Sequence, residues 1–413
     1  MSDLALFGGT AVRKGKQPFP SWPIIGENDL RYVREAVESR RWWRVSDPSF
    51  VARFEEAFAR YHDAPFALAV TNGTAALEVA VQALELDPGD EVIVPPYTFF
   101  ATASCVLKNN AIPVFVDIDP NTYNLDPEKI EAAITPRTKA IIPVHFAGLP
   151  ADMDRICDIA QRYNLTVIED CAHAHGAVWK GKKVGSIGLT GCFSFQNSKN
   201  MTSGEGGIIT TADERMQKLC FSYHFFGREE GRPFLEYNRL GSNYRMSELQ
   251  AALLLAQLER LEEQTARRAE NGAYLSKRLK EIPGIVPIES DDSRITRRAY
   301  HLYVLKYQES AFSGVSRELF LRALAEEGIS MFPGYAATVY NNPVFIEKRF
   351  PITSTAAAQV DYTRTRCDIA EQAIKDTIFM VHAILLGTKD DMDDIVEAVA
   401  KIYAQADRLS SVK

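Results

Sequence analysis

Short apolar runs alternate with amphipathic stretches along most of the chain. Phe66 to Val70, Glu91 to Val94, Ile112 to Val116, Ala140 to Pro143, Thr166 to Ile168 and Cys192 to Phe195 each have the length and composition of a buried strand. Between and before them, helical spacing of apolar residues predicts helices over Phe50 to Tyr61, from near Thr74, over Pro127 to Ala133 and over Met153 to Tyr163. Repeated strand and helix predict an α/β fold with a mostly parallel sheet covered on both faces. Leu30, Val33 and Val37 recur at helical spacing and predict a further helix from Glu27 to Ser39 on the exterior. Ser247 is placed to cap a long helix, with Glu248 in its first turn, running to near Leu279 before Pro283 and Gly284. The pattern then changes to a strand-like AYHLYVLKY, an amphipathic helix from Ser316 to Glu327, the loop MFPGYAATVYNNPVF and a last helix from Met392 to Tyr403, with Asp391 at its start. Two domains are expected: a large one over 1–260 with a short leading arm, and a smaller α+β one over 261–413 that includes the end of the long helix.

Composition narrows the classes. A chain of 413 residues is long enough for two cores. A net charge of −7 without a basic block argues against nucleic acid or an anionic membrane as the main partner. Six cysteines form no CxxC pair, and Cys171 and Cys192 lie in apolar runs, so reduced thiols in a cytoplasmic protein are expected. MSDLALFGGTAVRKG carries too short an apolar segment for a signal peptide, and no run approaches the length of a membrane span.

Candidate chemistry gathers between Thr166 and Thr211. Open α/β sheets bind ligands at the carboxyl ends of their strands. One strand there delivers Glu169, Asp170 and His173; the next delivers Ser194, Gln196 and Lys199. A lone lysine is usually a solvated surface group, yet one at a buried strand end is costly to desolvate unless something uses it. The following SGEGG suits a close backbone turn beside a ligand. An amine and a carboxylate separated by 29 residues meet the needs of pyridoxal phosphate chemistry: Lys199 for the Schiff base, and Asp170 to keep the ring nitrogen protonated. The turn TNGT, opening a helix near Thr74, presents backbone amides to an anion. Aromatic residues in PPYTFF offer either core packing or a flat face for a heterocycle. No GxGxxG follows any candidate strand, so a nicotinamide site lacks its fingerprint. Cys171, His173 and His175 alternate, but they are only part of a ligand set, and no metal is expected. The polar, aromatic segment from His224 to Gly241 reads as a loop over a site or across an interface.

SFQNSKNMTSGEGG resembles the cofactor-lysine motif, and EDCAHAHG the aspartate motif, of the DegT/DnrJ/EryC1/StrS sugar aminotransferases, which have aspartate aminotransferase fold type I. HFAG and LPADMD match the same pattern, and the resemblance runs from about Leu4 to Ala400. It implies a large pyridoxal phosphate domain and a small C-terminal domain. It also implies a phosphate cup of Gly73, Thr74, Ala75 and Ser194, with Phe99 stacked on the cofactor ring and His173 beside it. Asn243, in NYRMSE, is implied to reach the phosphate of a neighbouring subunit, making a homodimer with shared active sites. Trp42, Tyr97, His301, Tyr335 and Tyr340 are implied on the substrate side, with ordinary packing as the other reading of each. The implied cycle is ping-pong: Lys199 moves the proton, and pyridoxamine phosphate carries the amine between the halves. Gln196 after SF, with an opening like LALFGG, brings the chain nearer the glutamine:scyllo-inosose aminotransferase and aminohydroxybenzoate synthase branch than the SFHPTK or SFFPGK types. The implied donor is L-glutamine or L-glutamate and the acceptor an inosose-type cyclitol, with a nucleotide-linked keto sugar as the alternative. A same-fold dehydratase would carry histidine in place of Lys199, and an inactive regulatory or structural relative would lack Lys199 or Asp170.

Overall fold

The structure is a computed structural model describing residues 3–44 and 49–411. Fourteen strands occur among them: β1 Phe66–Val70, β2 Glu91–Val94, β3 Ile112–Phe115, β4 Thr138–Ile141, β5 Thr166–Asp170, β6 Val178–Trp179, β7 Lys182–Lys183, β8 Thr190–Ser194, β9 Gly207–Thr211, β10 Ile285–Pro287, β11 Ile295–Arg297, β12 Leu302–Tyr307, β13 Phe332–Pro333 and β14 Thr377–Val381. Seven form one sheet in the order β1-β9-β8-β5-β4-β2-β3. β8, β5, β4, β2 and β3 run parallel, and β9 lies antiparallel to both its neighbours.

Alternating side chains along these strands enter two different cores, as the period-2 geometry of a strand requires. Val92, Val94, Ile168 and Cys192 face one core, whereas Ile93, Val167, Phe193 and Ile208 face the other. Covering both faces buries every residue of β2 and β8. Fully burying a residue such as Phe193 stabilises the fold by about 1.5–3 kcal/mol. Helix starts are set by side-chain caps: Asn72, Asp126, Asp152 and Asp213 each accept from a backbone N–H in the first turn.

The C-terminal part has its own antiparallel sheet, β10-β12-β14-β13, and its own apolar core. The amino-terminal arm belongs to this core rather than to the large sheet. Leu4 is buried in it, and the Ala5 and Val12 amides donate to Glu327 at 2.8 and 2.9 Å. Arg13 pairs with Asp391 and Asp394 at 2.8 and 2.7 Å. Asp391 also completes a capping box with Thr388, so the last helix starts at Lys389, earlier than expected.

Two sequence expectations change. The long helix is two helices, Glu248–Leu258 and Leu261–Leu279, broken where Arg260 bonds the Ile24 carbonyl and Asp29, both at 2.8 Å. The helix Glu27–Glu38 turns its apolar stripe outward: Leu30 is 66 % exposed and Val37 is also exposed, while Asp29 and Ala36 are buried. Among the described residues, no helix is long and apolar enough to cross a membrane.

Candidate active site

The carboxyl ends of β5 and β8 open into a cavity of about 1110 Å³. Gly73, Thr74, Ala75, Phe99, Asp170, His173, Ser194, Lys199, His301 and Tyr335 all line it. The parallel pairing of β5 with β8 sets Asp170 opposite Cys192, so Ser194 and the turn bearing Lys199 emerge beside the aspartate.

Asp170 is buried, and each of its oxygens is held. Thr102 Oγ1 donates to Oδ2 at 2.8 Å, and the Ala172 N–H donates to Oδ1 at 3.1 Å. Burial raises its pKa, while Thr102, Ala172 and the positive charge of Lys199 pull the other way. Lys199 shows the reciprocal effect: burial lowers its amine to about 8, and Asp170 opposes the fall. An amine poised there can serve as nucleophile or base near neutral pH.

Gly73 opens the helix Gly73–Gln82 against Ser194. A Cβ at position 73 would lie 2.5 Å from the Ser194 Cβ, so only glycine keeps this cradle open. The helix start and the Ser194 hydroxyl form a seat for a dianion, which suits a cofactor phosphate. The Ala75 N–H is already given to Asn72 Oδ1 at 2.8 Å, so its amide serves the helix cap. Phe99, 61 % exposed, presents a free ring face at the cavity. These features fit pyridoxal phosphate: Lys199 for its carbonyl, Asp170 for its ring nitrogen, Phe99 for its face and the Gly73–Ser194 cradle for its phosphate.

Three buried histidines form one wall. His173 and His301 rings lie 4.3 Å apart, and His301 and His382 rings 5.9 Å apart. The Ala147 N–H donates to His173 Nδ1 at 3.3 Å, which puts the ring proton on Nε2. Burial first, then the Lys199 charge, holds His173 and His301 well below the usual histidine pKa, so both are neutral. His175, behind this wall, is buried with neither ring nitrogen bonded.

Other predicted site residues lie apart from the cavity. Trp42 is on the outer surface, its Nε1 donating to the Val37 carbonyl at 3.3 Å. Tyr97 is buried behind Tyr335, with ring centroids 5.1 Å apart. Tyr340 donates to Glu371 at 2.7 Å. Asn243 is exposed and pairs with Phe225 away from this chain's cavity. Three contributors had no sequence signal: Thr102, which orients Asp170, and Trp22 and His382, which line the cavity from distant parts of the chain.

His145, Glu169 and Cys171 come close enough to suggest a metal site. The carboxylate is instead saturated: His145 Nε2 and the Gly185 N–H donate to Oε2, and the Ile187 and Gly188 N–H groups to Oε1, at 2.7–3.0 Å. Ala151 N–H occupies His145 Nδ1 at 3.0 Å, so the cluster reads as a bracing network.

Residues 23–400 match the DegT/DnrJ/EryC1/StrS aminotransferase family. The chain belongs to that family. It is 41% identical to a putative L-glutamine:3-amino-2,3-dideoxy-scyllo-inosose aminotransferase of Streptoalloteichus tenebrarius, covering 99% of each chain. It is 40% identical to an L-glutamine:2-deoxy-scyllo-inosose aminotransferase of Streptomyces lividus, covering 97% of each. The crystal structure of 3-amino-5-hydroxybenzoic acid synthase superposes with a TM-score of 0.84 at 38% identity, over 94% of this chain and 99% of that one. Family and fold make the protein a pyridoxal phosphate-dependent aminotransferase of fold type I, with a large mixed sheet domain and a smaller C-terminal α+β part.

Proposed function

We propose that the enzyme moves the amino group of L-glutamine onto a free cyclic ketone of the scyllo-inosose type, with the cofactor held on Lys199. The observation that carries the reading is Lys199 and Asp170 on neighbouring strand ends, facing one cavity with an anion cradle. When bound, pyridoxal phosphate supplies the electron sink that makes the donor's α-proton removable. Lys199 would hold the cofactor, and its free Nζ would take the donor's α-proton as a base and give it back as an acid. Asp170, fixed by Thr102 and Ala172, would keep the cofactor's ring nitrogen protonated. Ser194 and the helix start at Gly73 would bind the phosphate, Phe99 would offer its ring face to the cofactor, and His173 would offer its Nε2–H as a donor. His301 and Tyr335 then face substrate.

A free cyclitol is favoured over a nucleotide-linked sugar by the charge of this wall. Among the described residues lining the cavity, the lysines and arginines are Lys108 and Lys199, and Lys108 is bound to Glu78 at 3.0 Å. That leaves no spare cation for a diphosphate among the described residues lining the cavity, beyond the lysine assigned to the cofactor. The 41% and 40% identical relatives, both named for L-glutamine and scyllo-inosose substrates, support the same choice.

A homodimer completes the reading. Ile25, Leu30, Leu235 and Leu240 are strongly exposed, the last at 90 %, and offer apolar surface that a partner subunit can cover. Asn243 lies on the exposed side and is assigned to the phosphate in the partner's cavity.

The test is a visible spectrum of the purified protein with L-glutamine or L-glutamate added separately. A band near roughly 410–430 nm that moves toward about 330 nm faster with glutamine supports the reading, and inososes are then assayed against nucleotide keto sugars as acceptors. Absence of the band after addition of pyridoxal phosphate refutes it.

A further inference from the structure

The turn that carries Lys199 leaves the sheet after Ser194 and has few ties of its own. The Lys199 N–H donates to the Gln196 carbonyl at 2.9 Å, and the Ser198 N–H and hydroxyl donate to Gln196 Oε1 at 2.8 and 2.7 Å. Asn197 and Ser198 are exposed at the cavity. Their carbonyls, the last two before the lysine, are each held from outside. Trp22 Nε1, from the leading segment, donates to the Asn197 carbonyl at 2.8 Å. His382 Nε2, just past the end of β14, donates to the Ser198 carbonyl at 3.1 Å.

The two donors support each other. Their rings meet edge to face at 4.5 Å, and the buried Arg268 guanidinium lies 5.4 Å from the Trp22 ring. A carbonyl only accepts, so the His382 proton is on Nε2 and committed to Ser198. Its Nδ1 is buried without a partner.

We propose that Trp22 and His382 are positioning residues for Lys199, clamping the two peptide planes that aim its side chain. The Ser198 carbonyl carbon is bonded to the Lys199 nitrogen, so a tilt of that plane swings the whole lysine. Placement errors of this kind are costly in proton transfer, where about 1 Å of displacement can lose on the order of 100-fold in rate. The clamp also joins three separate parts of the chain at the lysine: the leading segment, the β8 turn and the C-terminal sheet. It rests on the proposed role of Lys199 as the reacting amine.

The experiment compares the holoenzyme with Trp22→Phe, His382→Leu, His382→Gln and the Trp22→Phe/His382→Leu double variant. Phenylalanine keeps an aromatic ring but loses the N–H together with part of the indole; glutamine restores a donor at similar reach to Nε2. Three readouts are taken: hydrogen exchange of the peptide over residues 196–202, the pH midpoint of the lysine-linked visible band, and the glutamine half-reaction resolved into limiting rate and half-saturation. The expected result is faster exchange in both Trp22→Phe and His382→Leu, a displaced midpoint, and a limiting rate lowered roughly ten-fold with half-saturation nearly unchanged. His382→Gln recovers most of the rate, and the double variant loses more than the product of the single losses. Unaltered exchange and midpoint in both single variants overturn the clamp, as does a glutamine variant no better than the leucine one. Exchange does not depend on the visible band. A parent lacking that band refutes the aminotransferase reading, and the exchange comparison still decides the clamp.

Discussion

Thr102→Val removes the only side chain among the described residues that donates to Asp170, while keeping the shape of a fully buried residue. Thr102 Oγ1 lies 2.8 Å from Asp170 Oδ2 and also 3.1 Å from Thr98 Oγ1. A hydrogen bond to an ionised partner contributes about 1.5–3 kcal/mol, most of it because the alternative is an unsatisfied buried charge. Burial already works against the ionised form of Asp170, and losing Thr102 removes the largest interaction that favours it. The ionised form of the aspartate then loses support, and its hold on a protonated cofactor ring would weaken. If the whole bond is used in the rate-limiting proton transfer, the loss is about 10- to 150-fold, at roughly 1.4 kcal/mol per factor of ten. The assay is a rapid-mixing single turnover with saturating L-glutamine, followed at the visible band. Thr102→Ser, which retains the hydroxyl, is expected to keep most of the rate. A valine variant that binds cofactor and reacts at the parent rate would show that Asp170 does not depend on this bond.

Four further outcomes follow from the same coordinates. Because the Lys199 amine is lowered to about 8, cofactor capture by the apoprotein should slow roughly ten-fold per pH unit below that point, measured as growth of the visible band; a flat profile from about pH 6 to 8 refutes this. Asp170→Asn should move the same midpoint lower, since it removes the negative charge that favours the ammonium form. Gly73→Ala places a Cβ 2.5 Å from that of Ser194, so cofactor affinity by fluorescence titration should fall about 100-fold, and an unchanged value contradicts the cradle. If the sites are shared across a dimer, Lys199→Ala and Asn243→Ala should each be inactive alone and mixing them by unfolding and refolding should restore about a quarter of parental activity; an Asn243→Ala protein with parental activity refutes the sharing.

That Lys199 and Asp170 meet at one cavity was legible because each sits in a short motif at the end of a buried strand. The large sheet was legible from local pattern too: Phe50–Tyr61, Phe66–Val70 and Met153–Tyr163 have the bounds that apolar pattern and caps predicted. Features made by single residues far apart in sequence were not. Thr102 lies in ATASC, Trp22 before a proline and His382 after a strand, and none carries a motif that announces its partner. The break at Arg260 has no glycine or proline to mark it, because its cause is a bond to Ile24 and Asp29 more than 200 residues earlier. Leu30, Val33 and Val37 correctly predicted a helix, but periodicity gives the face of a helix and not what covers it.

Glu55 separates folding from catalysis in one measurement. It is buried, accepts from the Ala69 N–H at 2.8 Å and pairs with Arg44 at 2.8 Å, yet burial outweighs both and lifts its pKa to about 7. An unfolded glutamate titrates near 4.5. Between those values the folded chain holds a proton that the unfolded chain has lost, so the native state binds more protons and its stability falls as pH rises. The stabilisation is complete below the unfolded value and is gone above about 7; a shift of this size amounts to roughly 3 kcal/mol across the window. Glu55 contacts β1 and lines no part of the cavity, so Glu55→Gln should flatten that part of the stability profile while leaving the visible-band titration in place. Denaturant midpoints from about pH 4.5 to 7 measure the first effect and the cofactor spectrum the second. A parental profile that is level or rises across the window would mean that Arg44 holds Glu55 ionised after all, and the pH behaviour of stability would then have to come from elsewhere in the fold.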